Sequence, residues 1–336
     1  MASSINASTS GGGGIITTAD ATGNLNIQSG GSTVVAVTSA GATVTGTLAA
    51  TGGLQNLVTG ICEGRLTLTS GTAVTTADVT GATTVYFAPY NGNRIALYDG
   101  TNWLTYSFTE RSLALGTLTT LTPYDVYIYN NSGTLTLEFL AWTNGTTRAT
   151  ALVLQDGVYV KTGATTRRYL GTFYTTATTT TEDSAAKRYL YNYNNRAIRL
   201  MSCATETTDN WTYSTATWRQ ARASTANQLN FFVGVVEDSV SANLDVSYSS
   251  ATVGSAVGLG IGLNSTTQPS GNFGVPNTPV AGYTFMWSRN LRTYPVLGLN
   301  YMAWLEYSQS GLTTTFYGDA GAPTHTQSGI KGEILA

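Results

Sequence analysis

YDVYIYNNSGTLTLEF, residues 124–139, is the stretch that decides the fold. Tyr124, Val126 and Ile128 alternate with Asp125, Tyr127 and Tyr129, the chain then meets Asn130-Asn131-Ser132-Gly133, and Leu135, Leu137 and Phe139 recur at every second position on the return. Period two is the spacing of a strand with one buried face, and Asn, Ser and Gly are turn formers, so the stretch predicts a β-hairpin. A second hairpin lies upstream. NRIALY at 93–98 runs into Asp99-Gly100, a dipeptide suited to a two-residue type I′ turn, and returns through WLTY at 103–106.

The same texture extends in both directions. Leu66 and Leu68 share a face of RLTLT at 65–69, and further strands are predicted at 158–161 and 169–174, so residues 61–180 read as one small sandwich or barrel. Thr175 to Thr181 is a threonine run of low complexity, read as a linker or an edge strand, and 182–191 is the only stretch with modest helical character. A boundary is therefore placed near residue 180. Beyond it strands recur at 198–202, 229–236, 244–248, 283–288, 301–307 and 312–317 with no βαβ pattern, which predicts a second β-sandwich over 181–336. The fold class expected is all-β: an extended Gly/Thr-rich arm or shaft over 1–60, then two β-sandwich, jelly-roll-like domains.

Composition agrees. The chain has 336 residues, enough for two domains at about 100–200 residues each. Sixty threonines, 37 glycines and 20 tyrosines favour pleated strands over helices, and only 10% of residues are charged, against about 25% in an average globular chain. Little charge means little repulsion between copies, so much of the surface is expected to be buried between subunits. A net charge of -2 with only three lysines gives no footprint for nucleic acid or anionic lipid. The start has no cationic and apolar leader, and the longest greasy stretch, 253–263, is short and broken by glycine, so a soluble chain made in the cytoplasm is expected, with no membrane insertion.

Residues 1–60 stand apart, with Asp20 as their single charge and no aromatic at all. Their apolar residues are small and scattered: Ile15, Ile16, Leu25, Ile27, Val34, Val35, Val37 and Val44 are the candidate assembly positions. Strands so short cannot offset the entropy of ordering the chain alone. Three copies around an axis, or docking onto a larger particle, would complete them; a disordered tail is the alternative.

Chemistry is sparse. His325 is the one histidine, and no GxSxG or HExxH context surrounds any serine or histidine. Glu182/Asp183, Glu206/Asp209 and Glu237/Asp238 are the adjacent acids that a glycosidase could use, but neighbours on a strand point to opposite faces, and solvated loop charges are the simpler reading. Cys62 and Cys203 lie 141 positions apart in different predicted domains and read as buried small hydrophobes. GGGG at 11–14 and VGLGIGL at 257–263 lack the setting that cradles phosphate and read as turn and close-packing signals. No catalytic residue, metal site or cofactor is assigned, calcium is left open, and the chain is expected not to be an enzyme. Trp211, Tyr213 and Trp218 in DNWTYSTATW, beside Asp209, Asn210 and Arg219, are the candidate glycan or receptor contacts, because flat rings flanked by hydrogen-bonding groups suit a sugar face; core anchoring is the competing reading.

GNLNIQSGGSTVVAVTSAGATVTGTLAATGGL at 23–54 resembles the amino-terminal shaft or attachment segment of tailed-bacteriophage fibres and virion appendages. The segments 86–108, 124–173 and 211–238 (YFAPYNGNRIALYDGTNWLTYSF; YDVYIYNNSGTLTLEFLAWTNGTTRATALVLQDGVYVKTGATTRRYLGTF; WTYSTATWRQARASTANQLNFFVGVVED) resemble a recurring module of phage structural proteins. Together they cover most of the chain. The resemblance implies a virion location, a homotrimer and partners among other virion proteins of the tail, baseplate or capsid; the Tyr/Trp-rich remainder is expected to present a host-recognition surface, with a cell-surface glycan as the candidate ligand of the aromatic residues named above. It does not tie the module to one position on the particle, so capsid decoration, cement or head fibre is the second reading. A glycan-degrading tailspike-type enzyme is the third, and no 20–25-residue repeat supports the solenoid it would need.

Overall fold

The computed structural model describes residues 25–29, 31–38, 41–46, 58–203, 206–271, 273–321 and 326–336. The chain is all-β. Among the described residues the helical content is one three-residue 3-10 turn, Ala221–Ala223. Two compact units divide at Gln55/Asn56.

The first unit holds a three-stranded antiparallel meander, Leu25–Ser29, Ser32–Thr38 and Gly41–Val44. The second unit, Asn56–Ala336, has two hydrophobic cores. The first core lies against a sheet ordered Thr147–Arg148, Thr134–Asn144, Pro123–Asn131, Ala164–Tyr174, Val158–Lys161 and Leu152–Gln155, with Leu190–Asn192 also paired to Ala164–Tyr174. One face of this sheet presents Tyr124, Val126, Ile128, Leu135, Leu137 and Phe173. Opposite them pack Leu66, Val85 and Phe87 from a three-stranded sheet, Gly64–Thr67, Thr84–Pro89 and Arg111–Ala114, and Ile95 and Leu97 from the hairpin Arg94–Tyr98 with Trp103–Ser107. The second core lies between a seven-stranded and a six-stranded sheet. Gly298–Ser308, Gln228–Val233 and Val257–Leu263 supply Met302, Trp304, Leu229, Phe231, Leu259 and Ile261 from one. Val240–Ser250, Thr314–Tyr317 and Gly329–Leu335 supply Leu244, Val246, Phe316, Ile330 and Ile334 from the other.

The 124–139 hairpin forms in the expected register. Asn131 pairs with Thr134, and the two turn residues Ser132 and Gly133 both have positive φ (49° and 94°), as a type I′ turn requires. The upstream hairpin is different. Tyr98 pairs with Trp103 around a four-residue loop, because Oδ1 of Asp99 accepts from the backbone N–H groups of Thr101 and Asn102 (2.8 and 2.7 Å). That Asx turn competes successfully with the two-residue turn.

Residues 182–191 are not helical. Thr181–Asp183, Lys187–Arg188 and Leu190–Asn192 are short strands. Their side chains alternate between the two cores, Leu190 entering the first while Tyr189 and Tyr191 enter the second. The threonine run connects Ala164–Tyr174, in the sheet of the first core, to Thr181–Asp183, in a sheet of the second. Thr175 and Thr181 are fully buried and bridge one another across a tight loop, with the Thr175 hydroxyl donating to the Thr119 carbonyl (2.8 Å) and the Thr181 hydroxyl to that of Tyr174 (2.7 Å).

Strand pairing passes through this region in both directions. Val79–Ala82 joins the sheet of the second core by pairing with Thr181–Asp183, and Leu190–Asn192 joins that of the first. The Asn192 amide imitates a strand neighbour, accepting from Leu66 N (2.6 Å) and donating to Leu66 O (3.1 Å).

Candidate functional site

The strand Asn210–Tyr213 pairs with Thr314–Tyr317, placing Trp211 beside Phe316 and Tyr213 beside Thr314 on one face. Trp211 sits at the rim of the second core, its ring 5.5 Å from Trp304 and 6.2 Å from Phe316. Its Nε1–H donates to Oε2 of Glu306 at 2.7 Å. Tyr213 lies under the Arg219 guanidinium at 3.9 Å and donates its hydroxyl proton to the Thr217 carbonyl at 2.9 Å. Both rings are therefore engaged within the protein.

Trp218 is placed elsewhere. In Val257–Leu263 the residues Val257, Leu259 and Ile261 enter the core, so Gly258 and Gly260 face away from it. A Cβ at Gly258 would lie 2.7 Å from Cη2 of Trp218, so the glycine is what lets the ring lie on the strand. Tyr307 at 5.5 Å and Phe273 at 5.7 Å complete a surface aromatic group in which Phe273 is 56% exposed. The three predicted contacts thus form no single platform: Trp211 and Tyr213 belong to a rim network, and Trp218 shares an outward surface with Tyr307 and Phe273.

Glu306 is the centre of the rim network and was not singled out in the sequence. It is fully buried, and besides Trp211 it accepts from Arg219 Nε (2.7 Å) and the backbone N–H of Arg222 (3.2 Å). Burial pushes its carboxyl above the ordinary value of 4.5. The folded state then holds this proton more tightly than the unfolded chain, so the group's contribution to stability is full below about pH 4.5 and is lost as pH rises through the folded value. Glu306→Gln is expected to flatten that part of the profile. Urea midpoints from about pH 4 to 7 check it, and equal slopes in both proteins would refute the assignment.

The adjacent acids are held by cations. Glu182 pairs with Lys187 (3.2 Å), while Asp183 accepts from Arg188 (3.2 Å) and Arg199 (2.7 Å). Glu206 pairs with Arg222 at 2.6 Å. Glu237 and Asp238 leave the strand pattern in a loop and both bind Arg196. Asp209 acts through its carbonyl, which accepts from the backbone N–H groups of Gly318 and Ala320. Five of the six carboxylates are thus committed to cations rather than facing each other across an open cleft. Cys62 and Cys203 are free and buried, one in each core. Among the described residues, no three His, Cys, Asp or Glu side chains group closely enough to hold a metal ion. His325 lies outside the described residues.

A second polar network escaped sequence reading because its members are far apart in the chain. Asp125, 1% exposed, accepts from Arg148 Nε (2.7 Å) and from the Thr172 hydroxyl (2.7 Å). Arg148 Nη2 also donates to the Gly234 carbonyl (2.6 Å), and its guanidinium stands 4.4 Å from the centre of the Trp142 ring. The signal available was a lone carboxylate inside the apolar run YDVYIY.

The candidate assembly residues form a surface in the first unit. Register pairs Leu25 with Val37, Ile27 with Val35 and Val35 with Val44, so these five share one face, while Val34 lies on the other. Leu25 and Ile27 are more than half exposed, at 53% and 52%. Ile15 and Ile16 lie outside the described residues.

No protein-family model and no curated protein matches the chain. Among solved structures, that of the infectious bursal disease virus Gt strain is 8% identical with a TM-score of 0.26, covering 77% of this chain and 71% of its own. The VP2 subviral particle of the same virus is 11% identical with a TM-score of 0.25, covering 76% and 74%. The insecticidal delta-endotoxin Cry8Ea1 of Bacillus thuringiensis is 9% identical with a TM-score of 0.24; 82% of this chain corresponds to about half, 52%, of the toxin. Similarities this low assign the chain to none of those folds.

Proposed function

We propose that the protein is a structural component of a tailed-bacteriophage particle, a tail fibre or related appendage that attaches through its first 60 residues and displays its β-body outward for host-surface recognition. The observation that carries this reading is the apolar face of the 25–46 meander, where Leu25, Ile27 and Val37 remain exposed. A three-stranded sheet of such small residues has too little apolar area to stand alone, and further copies or a particle surface complete it. A homotrimer satisfies the first condition, and the phage-like segments at 23–54, 86–108, 124–173 and 211–238 support the same reading.

Deletion sets the test. The carbonyl of Thr59 accepts from the buried Arg168, so the cut is made at the unit boundary, removing residues 1–55 and leaving the body whole. Particles assembled with this variant are expected to lack the protein, whereas undiminished incorporation would refute the anchor. The low charge of the chain suits a capsid decoration or cement protein equally well, and copy number separates the two. A shell protein is present in hundreds of copies, a tail fibre in about ten to tens, as ring symmetry at the tail dictates.

A further inference from the structure

A cleft of about 370 Å³ opens where Gly329–Leu335, Val240–Ser250 and Phe285–Thr293 lie side by side in the six-stranded sheet of the second core. Ser241 pairs with Arg292 on one side and with Glu333 on the other, so these three residues form one row across the sheet. Two strand spacings, about 10 Å, separate Arg292 from Glu333. They form no ion pair with each other; each is held by a serine. Arg292 Nε–H donates to the Ser239 hydroxyl (3.2 Å), and the Ser241 hydroxyl donates to Glu333 Oε1 (3.3 Å). The Nη groups of Arg292 and Oε2 of Glu333 bond to no other described residue, which leaves a donor and an acceptor with spare capacity facing one opening.

The rest of the lining narrows the ligand. Tyr294 is 67% exposed and Ile198 63%, an accessible ring and an apolar wall in one cleft. Glu237 and Asp238 bound the cleft as well, with Arg196 between them. The three carboxylates outnumber the two guanidiniums, Arg196 and Arg292, which disfavours a phosphate or another anion. A divalent cation would need converging ligands, and the acids here do not group at metal-holding distance. A neutral sugar meets each condition: its C–H face stacks on a tyrosine ring, and its several hydroxyls supply a donor to the carboxylate and an acceptor for the guanidinium.

We propose that this cleft binds a neutral saccharide, with Tyr294 as the stacking platform and Arg292 and Glu333 as the paired donor and acceptor. The inference rests on the reading of the body as an outward recognition surface and places the glycan contact away from Trp211, Tyr213 and Trp218.

Saturation-transfer NMR on the full chain tests it, with maltotriose, cellotriose and tri-N-acetylchitotriose as neutral probes and sialyllactose as the anionic comparison. Transfer to at least one neutral trisaccharide is expected, with affinity about ten-fold weaker in Tyr294→Ala and in Arg292→Ala, a loss of one hot contact. Both side chains lie at the surface, and unchanged circular dichroism verifies the fold. The proposal is overturned if no neutral probe shows transfer, if only sialyllactose does, or if both variants bind as the parent does. Particle association of the 1–55 deletion reads a different property, so failure here leaves the virion reading standing, and failure there leaves the cleft.

Discussion

Replacing Arg168 with methionine is expected to cost about 3–6 kcal/mol, the worth of two charge-assisted hydrogen bonds at about 1.5–3 kcal/mol each. Arg168 is 2% exposed, and its Nη1 lies within 2.8–2.9 Å of the carbonyl oxygens of Thr59, Ile61 and Ala96, which share its two hydrogens. These carbonyls come from the start of the body and from the hairpin at Arg94–Tyr98, so one guanidinium ties both to the strand Ala164–Tyr174. No carboxylate forms an ion pair with it among the described residues, and burial draws its pKa below the ordinary value. Methionine keeps most of the volume and strands the carbonyls, whereas Arg168→Lys retains a charged donor and should recover part of the loss. Urea midpoints measure both; a methionine variant within about 1 kcal/mol of the parent would show that backbone pairing alone holds these segments.

Arg148→Ala is expected to be about as damaging, at about 3–5 kcal/mol, because it leaves the Asp125 carboxylate buried without its cation. The ion pair is 2.7 Å long with side chains 11% and 2% exposed, and the same guanidinium reaches the Gly234 carbonyl. Asp125 lies on the sheet of the first core and Gly234 follows the strand Gln228–Val233 of the second, so the arginine joins the two halves of the body. Removing both charges in Asp125→Leu/Arg148→Met should restore most of the loss, as apolar replacement of buried pairs often does. A double-mutant cycle in urea reads the coupling; a coupling below about 0.5 kcal/mol would show that the two residues act independently.

Part of the candidate site was legible and part was not. The aromatic cluster at 211–218 was visible as composition, but whether a ring faces a core or the solvent depends on what lies across from it. Trp304 and Glu306 claim Trp211, and Gly258 gives Trp218 its place on the surface. The cleft at Arg292, Ser241 and Glu333 was invisible, because its residues lie between 41 and 92 positions apart and meet only through strand register. Loop geometry misled in the same way. Asp99-Gly100 is a two-residue turn signal, and the Asp99 side chain overrode it with bonds that only the folded loop supplies.

Sequence alone determined the all-β class, the hairpin at 124–139 and the faces of its strands, because these follow from period-two alternation and turn chemistry within a few residues. It also determined that residues 1–60 differ in kind from the rest, since charge and aromatic content are properties of the chain itself. Tertiary structure alone decided that strands pair through the region around residue 180, that Arg168, Arg148 and Glu306 are buried polar anchors, and that Arg292 stands apart from Glu333. Each of these is a long-range pairing, and its free energy depends on which distant groups exclude water from it. Local sequence carries no record of that exclusion.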